Sequence, residues 1–368
     1  MLKNWLQKAE IFNLDDSHWL PWMIGRKIVR GPHSSRSLSK AKLAIIGIDP
    51  GASAEVRKKF YNLAWDFDHS KIVDLGDLRK SNSEFLIPIL RELAAGSIVP
   101  LIIGHSREQF RAQYQSFQSV KSKVSVAMLD QRIRLKAEKS RVADGYSLNP
   151  AVHNRRQKLY HLSHLGSQRH LNDPKLYTLF DQKGYEYVRL GNLRKSTQAA
   201  EPILRDADLL GVDLSALQLS AAPAQTDAST AGLSVEEAAT LCRYAGLSDK
   251  LQSFGIFGFE RKASEEAVSQ TADTAAQLIW YFCDGFANRY RDFPVTHKGL
   301  VEYLVDHPSY SNLTFWRSRK SGRWWVQSPA FKYKGEERHR LIACSQADYD
   351  AASRGQLPER LIAAFGRS

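Results

Sequence analysis

The sequence has little cysteine. Only Cys242, Cys283 and Cys344 occur among 368 residues, and no CxxC pair exists. That spacing argues against a disulfide framework and a zinc ribbon, and it fits a reducing compartment. Long apolar runs are also missing. No stretch approaches the ~18 residues that a membrane-spanning helix needs. The opening residues, MLKNWLQKAEIFNLDD, are charged throughout and carry no apolar core of a signal peptide. The cytoplasm is therefore the expected location. No GxSxG, P-loop or GxGxxG motif occurs. GIDPGAS (47–53) places two glycines after an apolar run, but without the Walker lysine or the dinucleotide-binding spacing it reads as a turn. There is no internal repeat and no low-complexity block.

What is present is an ordinary globular composition, 43% hydrophobic and 25% charged. A chain of this size buries roughly three quarters of its unfolded surface. It needs neither disulfides nor metals merely to fold. Lysine and arginine outnumber aspartate and glutamate by 52 to 39, a net charge of +13. Such a charge suits a nucleic-acid or anionic-surface partner. The basic residues are scattered, however: Arg26, Lys27 and Arg30, then Arg155, Arg156 and Lys158, then Arg317, Arg319 and Lys320. No nucleic-acid motif frames them, so nucleic acid is not the expected partner, although the charge leaves it open.

The pattern along the chain is rhythmic. LAIIGID (43–49), KIVDLGDL (71–78), SIVPLIIGHS (97–106) and KVSVAMLD (123–130) are apolar runs of buried-strand length. Helical spacing fills the intervals at 53–65, 83–96 and 107–122. Beyond an irregular stretch, LYHLSHLG and YEYVRLGNL read as strands, with PKLYTLFDQKG a helix between them. DADLLGVDLSALQLSAAP (206–223) is a strand running into a loop. The helix LSVEEAATLCRYAGL (233–247) follows, with Ser234 and Glu237 set for a capping box. Another strand (250–260) and a long helix (264–290) complete the series. Alternation of this kind predicts an α/β fold, a mostly parallel sheet covered on both faces. Residues 1–40 form a lead-in whose Trp5, Trp19 and Trp22 are expected to dock on a body spanning 41–292. Residues 293–368 form an extension with a hairpin at TFWRSRKSGRWWVQ and short helices.

The order of these segments resembles the arginase (ureohydrolase) family. DLLGVDLSALQLSAAPAQTDASTAGLSVEE is similar to its DxDxxDPxxAP…GGLsxxE segment, with Asp213, Leu217, Ala222, Pro223, Gly232, Leu233 and Ser234 on the pattern. VPLIIGHSREQF resembles the strand and turn of GGxHS, and VSVAMLDQRIRL the strand ending in DAHxD. The early GIDPGASAEVRKKFYNL and the late SQTADTAAQLIWYF helix also correspond, so the likeness covers about residues 40–290. The tail segments WW and CSQADYDAA are similar to a formimidoylglutamase-like branch. The resemblance implies a three-layer α/β/α fold, commonly assembled as trimers or hexamers, and a manganese pair that activates a hydroxide.

The ligands implied by the resemblance are largely replaced. Asp130 falls on the first aspartate of DAHxD, but Arg132 stands for its histidine and Arg134 for its second aspartate. Asp213 matches the first aspartate of DxD, while Ser215 replaces the second and Gln218 and Leu219 replace Asp-Pro. In IIGHSREQF an ungapped reading puts Arg107 at the metal histidine, and it keeps the preceding strand at full length. A one-residue deletion would make His105 the ligand. Gly258 lies near the expected substrate glutamate, with Glu260 two residues on, which in a strand is the same face. The expectation is that no metal is held, that Arg132 and Arg134 fill the old site, and that they pair with Asp130 and Asp213. Two guanidiniums oppose dications strongly. At ~4 Å and an effective dielectric of about 20, each unit-charge pair costs roughly 4 kcal/mol. Any residual metal site would use Asp130, Asp213 and His105, and manganese belongs only to the alternative reading.

Two further clusters carry weaker signals. His153, His161, His164 and His170 suggest a relocated metal site or, more simply, ordinary histidines of a strand and loop. Trp316, Trp324 and Trp325 with Arg317, Arg319, Lys320 and Arg323 suggest an interaction patch, or a hairpin packing its tryptophans on the body. The expected function is a non-catalytic scaffold or interaction module with protein partners or a homo-oligomer. The alternative is a C–N hydrolase of linear amidines or guanidines with an atypical site.

Overall fold

A computed structural model describes residues 2–31, 38, 40–67, 71–80, 82–118, 121, 123–138, 148–153, 159–294, 296, 298–329 and 341–367. Arg155, Arg156 and Lys158 of the middle basic cluster lie outside the described residues. Ten strands form the main sheet: β1 (Leu6–Gln7), β2 (Val29–Arg30), β3 (Leu43–Gly47), β4 (Ile72–Leu78), β5 (Val99–Ile103), β6 (Val124–Leu129), β7 (Leu159–Ser167), β8 (Glu186–Arg189), β9 (Leu209–Asp213) and β10 (Ser253–Phe257). Their order is β1-β4-β3-β5-β10-β9-β6-β7-β8, with β2 also on β4. All pairings are parallel except β1 with β4. β3, β4, β5, β9 and β10 are buried along their whole lengths, which is why they read as unbroken apolar runs.

Helices cover both faces. Val56 and Phe60 of Pro50–Phe60, Cys242 and Ala245 of Val235–Leu247, and Leu278 and Phe282 of Glu265–Ala287 pack into one layer. Leu86, Ile89 and Leu90 of Ser83–Ala95, with Phe110 and Phe117 of Gln109–Gln118, pack into the other. The helix Val235–Leu247 starts where the sequence indicates, with Ser234 and Glu237 forming both bonds of the capping box. Cys242, Cys283 and Cys344 are all buried free thiols. Burial pushes each thiol up, away from nucleophilic character. Among the described residues, no helix is long and apolar enough to cross a membrane.

Four expectations need correction. The strand expected through YEYVRLGNL stops at Arg189, and Leu190–Lys195 is helical. Leu190 and Leu193 are three apart, and Leu193 is buried where Gly191 and Asn192 are exposed. The lead-in does more than dock, since β1 and β2 join the sheet at β4. Trp19 is buried, but Trp22 is 52% exposed. The extension is also more ordered than a hairpin: β11 (Leu300–His307), β12 (Tyr310–Ser318), β13 (Trp324–Gln327) and β14 (Leu341–Cys344) make a four-stranded antiparallel sheet. Helices Gln346–Ser353 and Glu359–Arg367 pack on it through Ala352, Leu361 and Phe365.

Candidate functional site

β5, β10, β9 and β6 are neighbours in the sheet, so their carboxyl ends meet. Crevices at such ends are where open α/β sheets bind ligands. After β5 the chain turns at Gly104–Ser106. The turn is held by Gln109 Oε1, which accepts from the backbone N–H of His105 (3.1 Å) and Ser106 (3.2 Å). This turn sends Arg107 across the strand ends. β9 ends at Asp213 and β6 at Leu129, placing two buried carboxylates side by side.

Ser215 ties the two together. Its backbone N–H donates to Asp213 Oδ1 (2.9 Å) and its hydroxyl to Asp130 Oδ1 (3.0 Å). Arg107 straddles Asp213, with Nε on Oδ2 and Nη2 3.2 Å from Oδ1. Arg134 Nε lies 3.0 Å from Asp130 Oδ2. Both guanidiniums then reach one further carboxylate oxygen, Asp227 Oδ2, at 3.3 Å from Arg107 and 2.7 Å from Arg134. Beside this centre Asp49 caps the helix Pro50–Phe60 and takes Arg261 Nη1 at 2.6 Å, with His105 Nδ1 at 3.9 Å.

Burial sets the charge states. Burial and the neighbouring Asp130 raise the Asp213 carboxyl above its ordinary value, against the pull of Arg107. Burial also opposes ionisation of Asp227, but the hydrogen bond from Arg134 and the charge of Arg107 prevail, and its carboxyl lies below the usual range. A cavity of about 550 Å³ opens over the centre, walled by His105, Arg107, Thr226, Glu260, Arg261 and Lys262. A second of about 550 Å³ runs along Arg132, Arg134, Lys136, Asn172 and Lys175.

No family model and no curated protein matches the sequence. Solved structures do match. The chain is similar to the manganese-bound formiminoglutamase of Trypanosoma cruzi, with a TM-score of 0.60, 19% identity, and coverage of 70% of this chain and 97% of that one. It is similar to the formimidoylglutamase of Bacillus subtilis, with a TM-score of 0.62, 14% identity, and coverage of 73% and 93%. The agmatine ureohydrolase of Thermoplasma volcanium gives a TM-score of 0.56 at 14% identity, covering 76% and 94%. A further match of this kind is named as an arginase superfamily protein. The chain has the arginase-like α/β fold.

A manganese pair such as the one named for the Trypanosoma cruzi enzyme does not fit this centre. All four oxygens of Asp130 and Asp213 accept hydrogen bonds from Ser215, Arg107, Arg134 or the Arg132 backbone. Guanidiniums only donate and cannot ligate a cation. Among the described residues, no group of three or more His, Cys, Asp or Glu side chains is placed to hold a metal.

The arrangement corrects the sequence expectation in two places. The second arginine of the centre is Arg107, not Arg132. Only the Arg132 backbone N–H reaches Asp130 (2.9 Å), while its side chain turns away to the Leu171 carbonyl (2.8 Å). β6 has ended at Leu129, so Arg132 lies in the segment beyond the strand and not on a strand face with Asp130. Glu260 is not on a strand face with Gly258, because β10 stops at Phe257. Gly258 has φ +82°, and a Cβ there would sit 2.6 Å from Asp213 Oδ1, so the position tolerates no side chain. Glu260 lines the first cavity, with Oε1 taking the Lys262 backbone N–H at 2.9 Å. His105 lies on the cavity wall, its ring 3.3 Å from Gln109 Nε2. Asp227 and Asp49 were not anticipated; Asp49 caps the helix after β3, and Asp227 returns to the centre from the loop that follows β9, so only their acidity offered a signal.

The histidine cluster does not converge. His153 meets the Lys136 carbonyl (2.9 Å), His164 the Arg132 carbonyl (3.0 Å), and His161 the Glu186 carboxylate (3.7 Å). His170 lies exposed beyond them. Of the two readings of the tryptophan cluster, the packed one describes its rings, because Trp316, Trp324 and Trp325 are buried, and they offer no surface patch. Arg323 is drawn inward to Glu201 (3.3 Å), and Arg317 lies over the Trp324 ring. Arg317 and Arg319 remain exposed.

Proposed function

We propose that this chain is a non-catalytic arginase-fold protein, a scaffold or interaction module rather than a metal-dependent hydrolase. The observation that carries the reading is the placement of Arg107 and Arg134 on Asp213 and Asp130, where the resemblance puts a manganese pair. Two fixed positive charges neutralise the carboxylates that dications would need. A protein partner or a second copy of the chain suits this role. No cofactor is required for it, and the cytoplasm is its proposed setting.

A second reading keeps hydrolysis: a C–N hydrolase of linear amidines or guanidines, formimidoylglutamase-, agmatinase- or arginase-like. The names of the structural neighbours and the open cavity beside His105 favour it. Metal content after purification in manganese, read beside thermal shift, separates the two. The first reading expects negligible manganese and an unmoved melting temperature. Close to two manganese per chain with marked stabilisation overturns it and directs attention to amidine and guanidine substrates.

A further inference from the structure

Asp227 differs from the other members of the centre. Its side chain is 36% exposed, against 18% for Arg107 and Arg134 and 2% or less for Asp213 and Asp130. Each arginine already has a buried carboxylate of its own, yet both extend to the same Asp227 oxygen. The backbone at this point is fixed independently. The Asp227 carbonyl accepts from Gln131 Nε2 (2.6 Å), and the Thr226 N–H donates to the Gly258 carbonyl (3.0 Å). The carboxylate can therefore leave by side-chain rotation alone. The two cavities that its arginine partners line carry a surplus of basic side chains over acidic ones. The first has Arg107, Arg261 and Lys262 against Glu108 and Glu260, three less two, +1. The second has Arg132, Arg134, Lys136 and Lys175 against Glu138 and Asp173, four less two, +2.

We propose that Arg107 and Arg134 form a binding site for a small carboxylate, and that Asp227 is its intramolecular stand-in. The proposal rests on the filled-centre reading above. Guanidinium groups present planar donors that match a carboxylate, and a ligand carboxylate in the place of Asp227 Oδ2 repeats the contacts already formed. The remainder of the ligand lies in the flanking cavities, where it meets further lysines and arginines. The tethered Asp227 competes at a high effective concentration, so the unmodified protein binds free carboxylates weakly.

Chemical rescue tests this in the full-length chain after treatment with chelator. Asp227→Ala leaves the two arginines facing an empty position and is expected to melt below the parent. Added acetate restores the melting temperature, whereas chloride at equal ionic strength does not. Acetate binds Asp227→Ala about tenfold more tightly than the parent in calorimetry, as removal of a tethered competitor requires. Rescue disappears in Asp227→Ala combined with Arg134→Gln. If Asp227→Ala fails to fold, Asp227→Asn keeps the side-chain volume and the same calorimetric comparison is made on it. Inorganic phosphate serves as the competing oxyanion, and rescue by phosphate in preference to acetate overturns the carboxylate assignment. Equal rescue by chloride, rescue that survives loss of Arg134, or no gain in acetate affinity overturns the site. Manganese content separates the failures: no rescue in a chain that takes up two manganese sinks both proposals, while no rescue without manganese sinks this one alone.

Discussion

Ser215 stands where the resemblance calls for a second metal-binding aspartate, and it has a different task. By donating to both Asp213 and Asp130 it fixes two carboxylates that would otherwise repel. Histidines nearby set a pH dependence. Burial depresses His161 and His164 to about 4, with Arg367 adding to the effect at His161 and Arg134 at His164. Glu186 and Asp206 face His161 and oppose the shift, as does the Arg132 carbonyl at His164. Both folded values lie below the unfolded value, so the unfolded chain protonates first as pH falls. Stability is complete above about pH 6.5 and is lost towards pH 4. Between pH 7 and 5 the loss is about 2 kcal/mol per histidine. The raised Asp213 titrates in the opposite sense. Urea unfolding at the two pH values measures the slope, and His164→Gln, which retains a donor for the Arg132 carbonyl, should reduce it by about half. An unchanged slope would remove His164 from the account. At this scale Asp130, Asp213, Ser215 and Arg107 were legible because strand ends and ungapped register locate them. Arg132 was misplaced because the resemblance gives its position in the motif but not the direction of its side chain, which turns to the Leu171 carbonyl. Asp227 was invisible because its approach is tertiary.

The elements follow the same logic. Long buried strands and helices announced themselves by apolar runs and by 3.6-residue spacing. β1 and β2 did not, since two-residue edge strands carry no period. The tryptophan-rich hairpin was read from the sequence, with the direction of its rings left open between surface and interior. That direction depends on the helix Glu201–Asp206. Arg205 donates to the carbonyls of Trp324 (3.0 Å) and Cys344 (2.9 Å), pairs with Glu201 (3.0 Å) and stacks 4.5 Å from the Trp325 ring. Asp206 adds a bond from the Ala343 N–H (2.8 Å). This buried guanidinium, with Asp206 and the Arg323–Glu201 pair, thus fastens the second sheet to the helix Glu201–Asp206. Arg205→Ala leaves two buried carbonyls and Glu201 without this partner, at a cost of roughly 3 kcal/mol. Hydrogen exchange should show loss of protection in β12–β14 with β9 and β10 still protected. Arg205→Lys should restore little, because an ammonium cannot reproduce the fork or the stacking. Protection lost equally in both sheets would mean that Arg205 supports the whole fold rather than the junction.

For the whole molecule, the alternation of strands and helices was sufficient to predict a mostly parallel sheet covered on both faces, and the motif-like segments in their order supplied the resemblance that pointed to the arginase-like fold. The net charge of +13 was less informative: the internal pairs of Arg57 with Asp74 and Asp77, Arg205 with Glu201, and Arg107 and Arg134 with the central aspartates hold no excess of cations, so the surplus lies elsewhere, on basic residues scattered along the chain with no motif to frame them. If the fold places its strand ends as the resemblance implies, reinstating the ligands should reinstate the metal. The combined variant Arg107→His, Arg132→His, Arg134→Asp and Ser215→Asp removes three positive charges and adds two negative ones, a change of −5. Without metal, its clustered carboxylates repel and the protein should melt below the parent. Manganese should then raise its melting temperature in a concentration-dependent manner while leaving the parent unmoved. Arg132 is the decisive position, because its side chain now points to the Leu171 carbonyl and must reorient as histidine. A variant with the remaining three changes but with Arg132 retained should bind manganese less well. If the folded fourfold variant ignores manganese, the strand ends are not spaced for a metal pair, and the filled centre is built into the backbone rather than into these side chains.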